Sequence, residues 1–271
     1  MPLILEDPIA DLDTSSVTTA IVNDWLSRQV EHGQSIHATR NARTVLSSAF
    51  QRGVEWGIVD RNPVRGATSI KPRRKPPRIP TRMEVARLGM TVPEPDEKWR
   101  SLLLVAALCG LRPQEQFALR WEHVRDDHLM IREAIMSHRR GMKATKTLRG
   151  TREVPMPRVV RDSLMVWRSS AARCDDGDLV WSTSIGSAYT RSSFAQRVWR
   201  PWRERAGLPG LQWKHLRHFC VSMLALSGVS MMQVARWMGH ASIRTTDEDY
   251  GFLFEADTER AMDRLQDLFG E

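Results

Sequence analysis

Cysteine is scarce: Cys109, Cys174 and Cys220 are the only three in 271 residues, and none forms a CxxC pair. That spacing excludes a zinc ribbon and a disulfide framework, and it fits a reducing compartment. Tyrosine is scarcer still, with Tyr189 and Tyr250 alone, so the chain does not use it as routine core filler. No stretch approaches the ~20 apolar residues of a membrane span. The opening MPLILEDPIADLD has no basic leader, and Glu6 and Asp7 break its apolar run. A glycine-rich phosphate loop is missing, as is a tight carboxylate cluster of the two-metal type. Asp126–Asp127 and Asp175–Asp176 read as turn residues. These absences predict a cytoplasmic protein with no membrane partner, no metal and no cofactor.

What is present points to a polyanion. The formal charge is +8 and the isoelectric point is near 10.0, which puts nucleic acid first among the candidate partners. The apolar fraction of 41% is ordinary for a globular chain, so a substantial core can form.

The composition changes sharply once, over GATSIKPRRKPPRIP (66–80). Prolines forbid a regular helix there, and Lys71, Arg73, Arg74, Lys75 and Arg78 make the segment strongly cationic. It reads as a solvated interdomain linker that could also lie along a phosphate backbone. Before it, two helices are predicted. VTTAIVNDWLSRQV turns Ile21, Val22, Trp25 and Leu26 inward, and SIHATRNARTVLSSAFQRGVEWG does so with Ala42, Val45, Leu46, Ala49, Phe50 and Val54. Arg40 and Arg43 fall on the outer face of the second, either solvated or touching DNA.

After the linker, Thr81 and Glu84 form a capping box. KWRSLLLVAALCG reads as a buried helix stopped at Gly110, and Pro113 starts the next, PQEQFALRW. HLMIREA and TREVPMP read as short strands around the basic loop RRGMKATKTLRG, and the rest is helical. The expected fold is mainly α with a small antiparallel β-sheet. Residues 1–65 form a helical DNA-binding domain, 66–80 the linker, and 81–271 a catalytic domain with a tail helix.

Three segments, in order, carry a resemblance. They are GLRPQEQFALRWEHV (110–124), TKTLRGTREVPMP (145–157) and KHLRHFCVSMLALSGVSMMQVARWMGHASIRTTDEDYGFL (214–253). Singly each is weak: Arg112 could cap a helix, Lys146 be a solvated charge and His240 a capping histidine. Together they resemble the two arginine boxes and the lysine hairpin of the tyrosine recombinases, the phage integrase family, in the short form without an arm-type-site domain.

The resemblance implies that Arg112 and Arg217 clamp the scissile phosphate and that Glu115 holds Arg112. It makes Lys146 the general acid, with Lys143 the fallback, gives His240 a hydrogen bond to the phosphate, and makes Tyr250 the nucleophile. Arginine suits the clamp because its planar fork matches a phosphate and stays charged. One position departs from the pattern. The histidine expected three residues before Arg217 is Lys214, which leaves the proton acceptor for Tyr250 open; His215 is turned roughly 100° away by one helical step.

The resemblance further implies a C-shaped clamp on double-stranded DNA at core-type sites, in the nucleoid of a bacterial host. It implies a homotetramer holding two DNA sites, and an accessory DNA-bending or directionality protein. The tail stripe Ala261, Met262, Leu265, Leu268 and Phe269 packs either on its own domain or on a neighbouring protomer. A type IB topoisomerase and a DNA-binding regulator with weakened chemistry are the alternatives.

Overall fold

The computed structural model describes residues 2–68, 76–135, 142–144, 151–255, 262 and 266. Lys71, Arg73, Arg74, Lys75 and Lys146 lie outside the described residues, as does the tail stripe except Met262, which is exposed. Two compact units divide the chain, one ending at Lys75 and the other beginning at Pro76.

The first unit contains α1 (Pro2–Leu5), α2 (Thr19–Glu31) and α3 (Ile36–Glu55). Thr18 and Ser35 start the two long helices by accepting from the backbone N–H groups of Ile21 and Ala38, at 3.3 and 3.1 Å. Val22, Trp25 and Leu26 of α2 meet Ala42, Leu46 and Phe50 of α3 in the core. Val45 and Ala49, expected inward, face out. The 3.6-residue period runs the buried stripe through Thr39, Ala42, Leu46 and Phe50, and those two positions sit beside it. Arg43 also departs from expectation. Its Nη2 donates to the carbonyls of Val64 and Ala67, at 3.0 and 3.1 Å, tying the chain after α3 onto the helix. Arg40 is exposed.

The second unit opens with α4 (Arg82–Met90). The Glu84 N–H donates to Thr81 Oγ1 at 3.1 Å, and Glu84 Oε2 accepts from the Thr81 N–H at 2.8 Å. The same carboxylate pairs with Arg78 at 2.8 Å, so this linker cation has a protein partner. Helix α5 (Asp96–Leu104) widens into a π-type turn over Val105–Cys109 and stops at Gly110, whose φ of 64° is left-handed. Helix α6 (Pro113–Gln116) is shorter than predicted. The chain leaves it so that Leu119 can accept from the Val180 N–H at 2.9 Å and Trp121 can be buried.

The expected strand HLMIREA is two strands. β1 (His128–Ile131) pairs antiparallel with β4 (Arg152–Pro155), and β2 (Glu133–Ile135) with β3 (Met142–Ala144). In the first pair Leu129, Ile131 and Val154 point into the core, as a two-residue period requires.

Among the described residues seven α-helices follow: α7 (Arg158–Ser170), α8 (Arg191–Phe194), α9 (Arg200–Arg205), α10 (His215–Leu226), α11 (Met231–Met238), α12 (Ile243–Tyr250) and α13 (Phe252–Glu255). Trp199, Trp202 and Trp213 pack edge-on or tilted, with ring centroids 4.9–5.9 Å apart. The Trp213 indole N–H donates to Gln116 Oε1 at 2.8 Å, and Gln116 Nε2 donates to the Leu111 carbonyl at 2.8 Å. These two bonds fix the start of α10 against the turn that carries Arg112. Among the described residues no helix is long and apolar enough to cross a membrane.

Candidate active site

The site is organised around the C-terminal end of α11. The last carbonyls of a helix have no intrahelical partner and carry its negative dipole end. Here three arginines from three other elements take them. Arg152 of β4 donates to Trp237 O at 2.8 Å, Arg217 of α10 to Met238 O at 2.6 Å, and Arg112, just before α6, to Gly239 O at 2.9 Å. Gly239 ends α11 with φ 64°, and a Cβ there would stand 2.9 Å from the Arg152 guanidinium. Glycine is therefore required both by the turn and by the cation beneath it.

Glu115 locks the cluster from the other side. It accepts from the Arg112 N–H and Nη1, at 2.8 and 2.9 Å, and from both terminal nitrogens of Arg152, at 3.0 and 2.9 Å. Burial by itself would raise its pKa. The Arg152 hydrogen bonds and the charges of Arg152, Arg112 and Arg217 outweigh burial and hold the carboxyl at about 2. Arg217 is completed by Gly110 O at 2.7 Å. Burial, then the nearby Arg112, lowers its pKa to about 10, so it stays charged at neutral pH. Three guanidinium groups against one carboxylate leave a cationic cluster, and part of Arg112 is open to solvent. A groove beside it is lined by Arg112, Arg191, Arg200, Arg203 and Lys214.

His240 lies at the same end of α11 with both ring nitrogens engaged. Its Nε2 is 3.1 Å from Arg217 Nη2 and its Nδ1 is 2.7 Å from Thr246 Oγ1. An arginine can only donate, so Nε2 accepts and Nδ1 carries the proton to Thr246. Burial, followed by the charges of Arg217, Arg112 and Arg152, lowers the pKa of His240 to about 4, so the ring is neutral.

Tyr250 ends α12 and is 2% exposed, packed with Cys220, Val221, Val234 and Met238. Burial pushes its pKa up to about 12, with Arg217 pulling the other way. Its hydroxyl is hydrogen-bonded to Nδ1 of His218. Lys214 stands exposed at the N-cap of α10, one residue before the helix, and borders the Arg112 groove. His215 is buried, and its Nδ1 accepts from the Gln212 N–H at 3.2 Å.

The structure therefore brings together Arg112, Glu115, Arg217, His240 and, through α10, Tyr250. Arg152 and His218 belong to the same constellation and were not singled out as site residues in the sequence. Arg152 was visible only as part of the predicted strand TREVPMP. His218 lies four residues after Lys214, the spacing that keeps two side chains on one helix face. Among the described residues no three His, Cys, Asp or Glu side chains form a metal-binding group.

Residues 81–254 match the phage integrase family. The chain belongs to that family, the tyrosine recombinases, and is a site-specific recombinase. The ICEBs1 integrase of Bacillus subtilis is 21% identical over 97% of this chain and 74% of its own length. A XerC-like tyrosine recombinase of Caldanaerobacter subterraneus is 21% identical over 94% of this chain and 72% of its own length. The Tn1549 transposon integrase, solved in complex with transposon right end DNA, superimposes with a TM-score of 0.74 at 19% identity. That match covers 95% of this chain and 90% of the other. These likenesses do not support a topoisomerase or a regulator.

Proposed function

We propose that the chain cuts and rejoins double-stranded DNA at core-type sites through a covalent bond between Tyr250 and a 3′ phosphate. Arg112 and Arg217 hold the non-bridging oxygens of the scissile phosphate, and Glu115 and Arg152 fix Arg112 in place. Tyr250 attacks phosphorus, and the 5′ oxygen leaves with a proton from Lys146. The phosphotyrosine ester keeps the bond energy, so the 5′ hydroxyl of another strand can reverse the step. Lys214 supports the phosphate by charge. Arg40, Arg78 and the linker cations Lys71, Arg73, Arg74 and Lys75 contact the DNA backbone. Four copies assemble on two sites, with an accessory DNA-bending or directionality protein.

The observation that carries this reading is the cationic cluster of Arg112, Arg152 and Arg217, sharing α10 and α11 with the pocket of Tyr250. Preorganised donors of this kind stabilise charge that develops in a transition state. The Tn1549 integrase, solved on its transposon end DNA, supports DNA as the partner.

The test uses nicked duplexes and asks for a protein–DNA adduct that survives detergent. Tyr250→Phe is expected to bind DNA as the wild type does and to form no adduct, while Tyr189→Phe forms it normally. The reverse result would move the nucleophile to Tyr189.

A further inference from the structure

The position where the resemblance expects a histidine is an exposed lysine, yet the phenol of Tyr250 is not left without an imidazole. The pocket around it is built from Cys220, Val221, Val234 and Met238. The polar group its hydroxyl meets there is Nδ1 of His218, one turn of α10 beyond Lys214. Buried tyrosine hydroxyls generally find a hydrogen-bond partner, and a backbone carbonyl would satisfy one fully. The partner here is instead a side chain whose ring nitrogen can take up a proton and give it back.

We propose that His218 is the proton acceptor for Tyr250 in DNA cleavage, standing in for the imidazole that position 214 lacks. The inference rests on the strand-transfer reading of Tyr250 given above.

The step balances as follows. Tyr250 Oη forms its bond to phosphorus, and the phenolic proton passes along the existing hydrogen bond to His218 Nδ1. The bond from phosphorus to the 5′ oxygen breaks, and that oxygen takes a proton from the separate acid, Lys146. On rejoining, the 5′ hydroxyl attacks and returns its proton to the acid. The bond to Tyr250 breaks, and the imidazolium gives its proton back to the phenolate.

For Nδ1 to accept, the neutral ring must carry its hydrogen on Nε2. The charged and titratable neighbours agree with a neutral ring. Burial first, then His215, Lys214 and Arg217 on the same helix, lower the pKa of His218 to about 4. On the facing side Tyr250 is held near 12 by burial, with Arg217 opposing, and Asp249 and Cys220 pushing the same way as burial. The proton therefore stays on Tyr250 at rest. It transfers only as the bond to phosphorus forms, when the phenolic oxygen loses its affinity for it. An anionic phosphate beside the pocket would stabilise the imidazolium that results.

The experiment starts from a pool of nicked duplexes with randomised sequence. Strands that become covalently bound to the wild-type chain are recovered and sequenced, and one such duplex is made in two forms. One has the normal 5′ oxygen at the cleaved bond and the other a bridging 5′ sulfur, which leaves as a thiolate and needs no acid. Single-turnover adduct formation is measured for wild type, His218→Gln and His218→Ala. The glutamine amide can hold the phenol but cannot take its proton.

Both variants are expected to slow by roughly 10²-fold or more on both duplexes, the usual contribution of general acid–base catalysis. Added imidazole is expected to restore part of the rate to His218→Ala. Should His218→Ala fail to fold, His218→Gln carries the comparison. A His218→Gln rate within about threefold of wild type, or full recovery of the variants on the sulfur duplex, overturns the proposal and leaves the strand-transfer reading standing. Failure of the wild type to form any adduct, or an adduct that persists in Tyr250→Phe, overturns that reading and the proposal with it.

Discussion

The arginine cluster and the tyrosine pocket share helices α10 and α11 but are held in different ways. In the cluster each guanidinium has at least two fixed acceptors, drawn from Glu115, the end of α11, Gly110 and His240. In the pocket the phenol sits among apolar side chains and a thiol, with His218 on its hydroxyl. On the strand-transfer reading proposed above, the cluster is the part that receives the phosphate. Tyr250 is buried and holds its proton, with His218 already against its hydroxyl. The two parts of the site therefore rest on different forces, paired charge in one and apolar burial in the other.

The strongest way to break this contrast is to remove the carboxylate that holds the cluster. Glu115 is 4% exposed and lies between two guanidinium groups. Glu115→Ala is expected to cost about 3–5 kcal/mol of stability, because it leaves buried cations uncompensated. Chemical denaturation measures this, and a loss below about 1 kcal/mol would mean that the helix carbonyls alone hold the arginines.

The next test separates holding from reacting. Arg217→Ala is expected to lower single-turnover cleavage by roughly 10²–10³-fold, as loss of an oxyanion donor does. DNA affinity should change far less, since dispersed phosphate contacts supply most of it. A variant that binds weakly but cleaves normally at saturation would take Arg217 out of the reaction.

Acid gives the mildest probe. His215, His218 and His240 are each held at about 4, mainly by burial, against an ordinary 6.5. A folded-state pKa below the unfolded one means that the unfolded chain takes up protons first. Stability present above pH 6.5 is then lost as the pH falls toward 4. Glu115, held at about 2 instead of 4.5, adds a further loss below about pH 4.5. The urea midpoint should fall between pH 7 and pH 5, and His240→Asn should shrink that fall. An unchanged midpoint would show that these rings are already solvated.

Much of this arrangement could be read in the chain itself. Gly110, Pro113 and the Thr81–Glu84 box marked helix ends, because their signals are local. The order of the three boxes put Arg112, Arg217 and Tyr250 in one site. What could not be read depends on contacts between distant segments. Arg152 becomes part of the site only when β4 lies against the end of α11, 85 residues away. His218 meets Tyr250 only when α10 and α12 pack together. Arg43 looked like a surface cation until the chain at Val64–Ala67 returned to cover it. The split of one expected strand into β1 and β2 has no signal in the alternation of its residues.

Cys220 brings a second potential nucleophile into the pocket of Tyr250. Burial pushes its thiol up to about 12, with Arg217 too weak an opposing charge to bring it down. Cys109, also buried, is pushed up for the same reason. Thiolate is the form that oxidises and is alkylated, so the interior sulfurs are chemically quiet at neutral pH. Exposed Cys174 is left as the sulfur that air and electrophiles reach first. Ageing of the protein by oxidation should thus begin at the surface, while the pocket keeps its phenol and its thiol intact.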